Sequence, residues 1–185
     1  MQTRFLDQPL LYRGDNLRSG WIAQVSGLTG EACVAWLGPC HVGVAELVDL
    51  EDARAGAEIH AALMLHFLAE HPGDELFTTV LRQRLLVALA LEALRALAPG
   101  ADLRREGDDL YCGARKLSVS VATRSPHSGL IHFALNVDPS GAPVPAVGLE
   151  ELGVEPRSLA DRLLAAYVAE MAGSAAACRK VREVD

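Results

Sequence analysis

The chain has 185 residues, half of them hydrophobic, and a formal net charge of −7. Such a composition excludes a disordered or fibrous protein, and a chain of this length buries roughly 70% of the surface it exposes when unfolded, enough for a single domain over residues 1–185 without disulfide or metal support. The acidic balance argues against nucleic acid as the main partner, because phosphate neutralisation needs clustered Lys and Arg and the cations here are scattered, although one local anion site stays open. Four cysteines, Cys33, Cys40, Cys112 and Cys178, stand in separate segments with no CxxC spacing, so neither a thiolate zinc site nor a disulfide framework is written and a reducing, cytoplasmic setting is expected. The start, "MQTRFLDQPL", has no basic region followed by a long apolar run, and no stretch of about 18 apolar residues occurs, so neither secretion nor membrane contact is expected.

In chain order, Phe5 to Tyr12 reads as one strand or hairpin, followed by a turn at Gly14-Asp15 and a short helix in "GDNLRSGWIAQVSGL". "EACVAWLG" is a wholly apolar run bounded by Gly30 and Gly38-Pro39, the signature of a strand in mid-sheet. "PCHVGVAELVDLEDARAG" mixes a short strand with an acidic turn, and "ALMLHFLAEHPGD" reads as a buried strand ending at Pro72-Gly73. From Asp74 to Leu97 a helical period runs through Leu76, Val80, Leu81, Leu85, Ala88, Leu89, Glu92 and Leu97, and Pro99-Gly100 stops it. "ADLRREGDDLYCGARKLSVSVATR" gives successive strands with turns near Gly107 and Gly113, and "SGLIHFALNVD" pairs back on them as an antiparallel meander. Arg115 to Thr123 is expected as one strand of the same sheet as Glu31 to Leu37 and Leu130 to Val137. After a loop from Pro139 to Pro145, "PRSLADRLLAAYVAEMAGSAAAC" is a second helix with Pro156 near its start. The order implies an α+β fold, a mixed and mainly antiparallel sheet flanked by helices.

Polar residues inside these elements are the candidates for chemistry. Alternation along Leu117, Val119 and Val121 predicts that Lys116 shares a face with Ser118 and Ser120. Asp108 and Asp109 precede Lys116 across the Gly113 turn, so carboxylate and ammonium would meet at neighbouring strand ends, either binding Mg²⁺ and phosphate together or forming a solvated charged hairpin. His66 and Glu70 fall on one strand face, with His71 on the other; they are acid, base or ligand candidates, or buried structural groups. A metal would need at least three convergent ligands, and although His66, Glu70, Cys40 and His41 are of suitable types, nothing in their spacing makes them meet. Arg82 and Arg84 point about 200° apart on the helix, so at most one of them faces a cleft and clamps an anion.

"DDLYCGARKLSVSV" followed by "GLIHFALNVD" resembles the core of biotin and lipoate protein ligases, in which an Asn-Asp or similar pair leads into a Lys and a later strand ends in Asn-Val. On that resemblance Asp108 stands where the ligases often have Asn, Lys116 at their nucleotide-activating Lys, and Asn136-Val137 at the end of the next strand. Across the chain, "RGDNLRSGW", "GPCHV", "LVDLEDARAG", "LHFLAEH" and "LRQRLL" are similar to the DUF366 family, which implies the fold of class II aminoacyl-tRNA synthetase and biotin/lipoate ligase catalytic domains without implying a reaction. The ligases carry a glycine-rich segment after an Arg pair, whose nearest counterpart is "LRSG" with Arg18, and a Gly shortly after the Lys, where this chain has Val119. The resemblance implies a small-molecule ligand, nucleotide or acyl, with ATP and Mg²⁺ as cofactors, Lys116, Asp108 and Asp109 in catalytic roles, and Arg18, Arg82 or Arg84 holding the ligand's far end. The alternative is a non-catalytic module on the same fold that senses a small metabolite or uses its sheet edge to form a homodimer.

Overall fold

The computed structural model describes residues 1–184. A five-stranded sheet forms the centre, in the order β1 (Gln2–Leu6), β2 (Ala32–Val42), β3 (Ile59–Pro72), β8 (Ser128–Asp138) and β7 (Ser118–Arg124). The pairings are antiparallel except β1 with β2, which is parallel. A second sheet of three short strands, β4 (Leu103–Glu106), β5 (Asp109–Cys112) and β6 (Arg115–Lys116), adjoins it. The α+β class with a mainly antiparallel sheet is as the sequence implies.

Both faces of the sheet are covered, which explains why β2, β3 and β8 read as near-continuous apolar runs. On one face Cys33, Ala35, Leu65, Phe67, Ile131 and Phe133 pack against the helices α3 (Leu76–Leu97) and α4 (Pro156–Arg179). Phe67 and Phe133 are fully buried and stacked with centroids 6.0 Å apart, each contributing about 2–3 kcal/mol. On the other face Val34, Trp36, Met64, Leu68 and Ala134 pack under Tyr12, Leu17 and the short helix α1 (Trp21–Ser26).

Several expectations are corrected. The first strand is Gln2–Leu6, and Tyr12 makes only an isolated bridge to Cys40, since Pro9 and the exposed Asp7 and Gln8 interrupt the ladder. Strand β2 runs on through "GPCHV" with a bulge between Gly38 and Cys40, and "LEDARA" is a short helix, α2 (Leu50–Ala55), capped by Asp49, rather than a turn. On α3 the buried residues are Thr79, Gln83, Leu86, Val87, Leu89, Ala90, Leu91, Ala93 and Leu94, so Leu89 is inside as expected, whereas Leu76, Leu81 and Glu92 are exposed. A helix apolar on nearly every side has no phase that its hydrophobic period can report, and the two polar residues turned inward have partners there. Thr79 packs on Gly129 of β8, where a Cβ would come within 2.1 Å of its hydroxyl, and Gln83 reaches Asp108 and Ser120.

Arg115 to Thr123 is not one strand. Leu117, fully buried, breaks it, leaving Arg115–Lys116 in the small sheet and Ser118–Arg124 in the large one. Lys116 therefore does not share a face with the serines. Ser118 accepts a hydrogen bond from the Leu110 amide (2.8 Å) and Ser120 one from Gln83 of α3 (2.8 Å), both toward the helices, while Val119 and Val121 line the opposite face.

Candidate functional site

A cleft of about 210 Å³ opens on the face away from α3 and α4. Its walls are the small-sheet residues Asp108, Asp109 and Lys116, the edge strand with Val119 and Val121, and the segment from Glu46 to Asp52; Tyr12 and His132 lie at its base. A smaller hollow of about 150 Å³ continues past Lys116 to Asn136, Pro143 and Ala146.

The Lys116 main chain is clamped. Its amide donates to Pro145 O (2.9 Å), and its carbonyl accepts from Val147 N (3.0 Å) and from Asn136 Nδ2 (3.2 Å). The residues on which the ligase resemblance rests, Lys116 and Asn136, thus meet through the backbone. The Lys116 ammonium lies 2.9 Å from Asp109 Oδ2, the side chains 31% and 27% exposed. Burial pushes the Asp109 carboxyl above its usual range despite the pull of Lys116, and the charges of Asp108 and Asp52 add to the rise. Asp108 accepts from Gln83 Nε2 (2.8 Å), with Arg84 3.5 Å from its other oxygen.

Charge in the cleft is lopsided, with Glu46, Asp49, Asp52, Asp108 and Asp109 facing the single ammonium of Lys116. Asp49 is also committed to capping α2 through the amides of Glu51 and Asp52. No group of three or more His, Cys, Asp or Glu side chains among the described residues could hold a metal alone. Asp108 and Asp109, each with an oxygen engaged, fit the lesser demand of Mg²⁺ carried in on phosphates, which needs one or two carboxylates and keeps its waters.

At the base of the cleft is a stack of rings. Tyr12 lies flat on His132 (centroids 3.6 Å, 7° apart), and Trp36 lies on His66 (4.8 Å, 17°). His66 Nε2 bonds to Gly38 O (3.1 Å) and its Nδ1 to His132 Nε2 (3.1 Å). Burial pushes His66 down to about 4, and burial with the neighbouring His66 holds His132 well below the usual histidine range. Tyr12 is held far above its ordinary value, first by burial and then by Cys40 and Asp15, so it stays a neutral phenol.

The remaining sequence candidates lie elsewhere. Glu70 shares its face with His66, as expected, but its carboxylate is occupied by the Gly20 amide (3.0 Å to Oε2) and the Ser128 hydroxyl (2.8 Å to Oε1), tying α1 to the sheet. Arg18 donates to Gln24 on the exposed surface (2.6 Å), away from the cleft lining. Arg82 points to the opposite side of the molecule, 2.5 Å from Glu31 and 2.8 Å from Asp74, beside the buried His71, whose Nε2 meets Tyr167 Oη (2.8 Å). Burial acts to raise Glu31, but hydrogen bonds from His71 and Arg82 outweigh it and hold the carboxyl below its usual range. Of Arg82 and Arg84 only Arg84 comes near the cleft, at the Asp108 edge. Sequence reasoning missed Tyr12, Gln83 and His132 as site residues. A polar side chain inside an apolar strand or helix was the available signal for the last two, whereas Tyr12 carried none.

A solved structure of a protein of unknown function from Pyrococcus horikoshi superposes with a TM-score of 0.92 at 37% identity, over 100% of this chain and 99% of that one. An uncharacterized protein of Methanocaldococcus jannaschii is 32% identical over 161 residues, 84% of this chain and 72% of that protein. A biotin protein ligase variant from Aquifex aeolicus in complex with biotin (TM-score 0.59, 14% identity, covering 92% and 70%) and a lipoate-protein ligase A bound with ATP (0.58, 16%, covering 88% and 83%) share the fold. The profile of the domain of unknown function DUF366 matches residues 1–182, and the chain belongs to that family.

Proposed function

We propose that this protein binds a small molecule in the cleft between the Tyr12–His132 base and the Asp108–Asp109–Lys116 wall. The observation that carries the reading is Lys116, whose backbone is clamped by Pro145, Asn136 and Val147 and whose ammonium is aimed at the cleft carboxylates. A clamped main chain sets where this side chain leaves the sheet, and a ligand phosphate would share the ammonium with Asp109. Under the ligase-like reading the ligand includes ATP, entering as its Mg²⁺ complex, with the metal against Asp108 and Asp109 and phosphate against Lys116, in the service of acyl or nucleotidyl transfer. A free polyanion is disfavoured, because the carboxylates outnumber the single ammonium.

That same carboxylate excess favours a second reading, a non-catalytic module that captures a neutral or cationic metabolite without nucleotide. Thermal shift separates the two: stabilisation by ATP that requires Mg²⁺ supports the first, and absence of a shift with ATP and Mg²⁺ at millimolar concentration removes it. Calorimetric titration of Lys116→Ala, with Lys180→Ala as control, then tests the site. A loss of about thirty- to a thousand-fold for Lys116→Ala alone is expected for a charge-assisted contact to phosphate, and equal affinity in all three proteins overturns the assignment.

A further inference from the structure

The hydrogen bonds at the base of the cleft set the direction of every proton in the histidine pair. A backbone carbonyl can only accept, so Gly38 O requires the hydrogen on His66 Nε2. A neutral His66 then presents a lone pair at Nδ1, and this nitrogen accepts from His132 Nε2–H at 3.1 Å. A neutral His132 in turn carries its lone pair at Nδ1. Both rings are buried, His66 at 0% and His132 at 3% exposure, and both stay uncharged near neutral pH. A 180° flip of either ring would keep its stack but put ring carbon where a bonding nitrogen stands, losing the contacts to Gly38 O or between the two rings.

Among the described residues His132 makes one side-chain hydrogen bond, through Nε2 to His66, and none through Nδ1. Among the described residues the sealed side-chain nitrogen and oxygen atoms without a partner do not include it, and His132 lines the cleft, so this nitrogen is open there. An acceptor held in place and open to the cleft selects a ligand that brings a donor to it, and the carboxylates along the same cleft add further acceptors without adding donors.

We propose that His132 Nδ1 is a specificity-determining acceptor, and that the small molecule bound in the cleft presents a neutral or cationic N–H or O–H donor group at the His132 end. The proposal rests on the cleft being the binding site and names the ligand chemistry that its base selects: an amine, amidine, amide or hydroxyl, and not a carboxylate or phosphate, at that position. Asn136, whose side chain holds the Lys116 carbonyl, lies four steps along β8 from His132, so the donor end is about 13 Å along the strand from the Asn136 level. Any phosphate in the ligand belongs at the Lys116 end.

Two measurements test this. Nitrogen-15 spectra of the ligand-free protein at pH 7 report the histidine tautomers, and both His66 and His132 are expected with the proton on Nε2. A His132 carrying its proton on Nδ1, or charged at pH 7, overturns the proposal whether or not any nucleotide binds. Second, methylguanidinium and tetramethylammonium, cations of equal charge with and without N–H donors, are titrated into wild type and His132→Phe, which keeps a ring on Tyr12; the readout is the shift of cleft resonances. At least tenfold tighter binding of methylguanidinium, lost in a folded His132→Phe, is expected. Equal binding of the two cations, no binding of methylguanidinium, or an unchanged affinity in His132→Phe overturns it. A variant that fails to fold leaves the tautomer result as the deciding one. Failure of ATP with Mg²⁺ to bind removes the ligase-like reading without touching either measurement.

Discussion

Replacing Lys116 by Ala isolates the pair at the cleft wall. Breaking an exposed ion pair costs 0–1 kcal/mol and breaking a buried one about 3–5. With its side chains 31% and 27% exposed, the Lys116–Asp109 pair lies between, so a loss of about 1–2 kcal/mol at pH 7 is expected after allowing for solvent screening. For a chain of this size that corresponds to a fall in Tm of roughly 2–8 °C. The loss has a pH signature. Burial already raises the Asp109 carboxyl, and Lys116 supplies the opposing pull, so without Lys116 the raised value climbs further. A carboxylate whose folded value lies above its unfolded one holds its proton more tightly when folded. Its stability cost is absent at pH below the unfolded value and grows as pH rises through the folded one. The deficit of Lys116→Ala relative to wild type is therefore largest at pH 7 and shrinks toward pH 4, and Asp109→Asn in the Lys116→Ala background restores most of it. Thermal unfolding followed by circular dichroism at matched pH values measures this, the histidine contributions cancelling between variants. A deficit no greater than that of Lys180→Ala, or one unaltered by acid and by Asp109→Asn, refutes the reasoning.

Gly38→Ala should prevent accumulation of folded protein or cost more than about 3 kcal/mol, because a Cβ there would stand 2.0 Å from the Leu10 carbonyl oxygen, which is backbone and cannot turn aside; a variant with wild-type Tm contradicts this. Acid should destabilise the wild type between about pH 6.5 and pH 4, since His66, His132 and His71 all have folded values below the unfolded one, so the stability they lend is present above about 6.5 and lost as pH falls. His66 alone, at about 4, accounts for roughly 3 kcal/mol, and a Tm that stays flat from pH 7 to pH 4.5 would count against the buried neutral pair. Aromatic disulfide reagent at pH 8 should modify the exposed Cys178 rapidly and Cys33 and Cys40 only on unfolding, because burial pushes both thiols up to about 12; fast labelling of Cys40 in a Cys112→Ser, Cys178→Ser background is the contrary result.

The fold was legible in the sequence where local pattern and tertiary burial agree. The apolar runs of β2, β3 and β8, the two long helices with Pro99-Gly100 after one and Pro156 opening the other, and the turns at Gly107 and Gly113 are all written locally, and the Asp109–Lys116 contact follows from the hairpin they bracket. Only the tertiary structure decided which way side chains face where pattern is degenerate. Helix α3, with apolar residues on nearly every side, took its phase from Gly129 and from the partners of Gln83. A single buried Leu117 shifted Lys116 into a different sheet from Ser118 and so reversed the expected face. The base of the cleft was illegible for the same physical reason: Tyr12, His66 and His132 lie up to 120 positions apart, and their proton order depends on the Gly38 carbonyl, a backbone group on which sequence carries no mark.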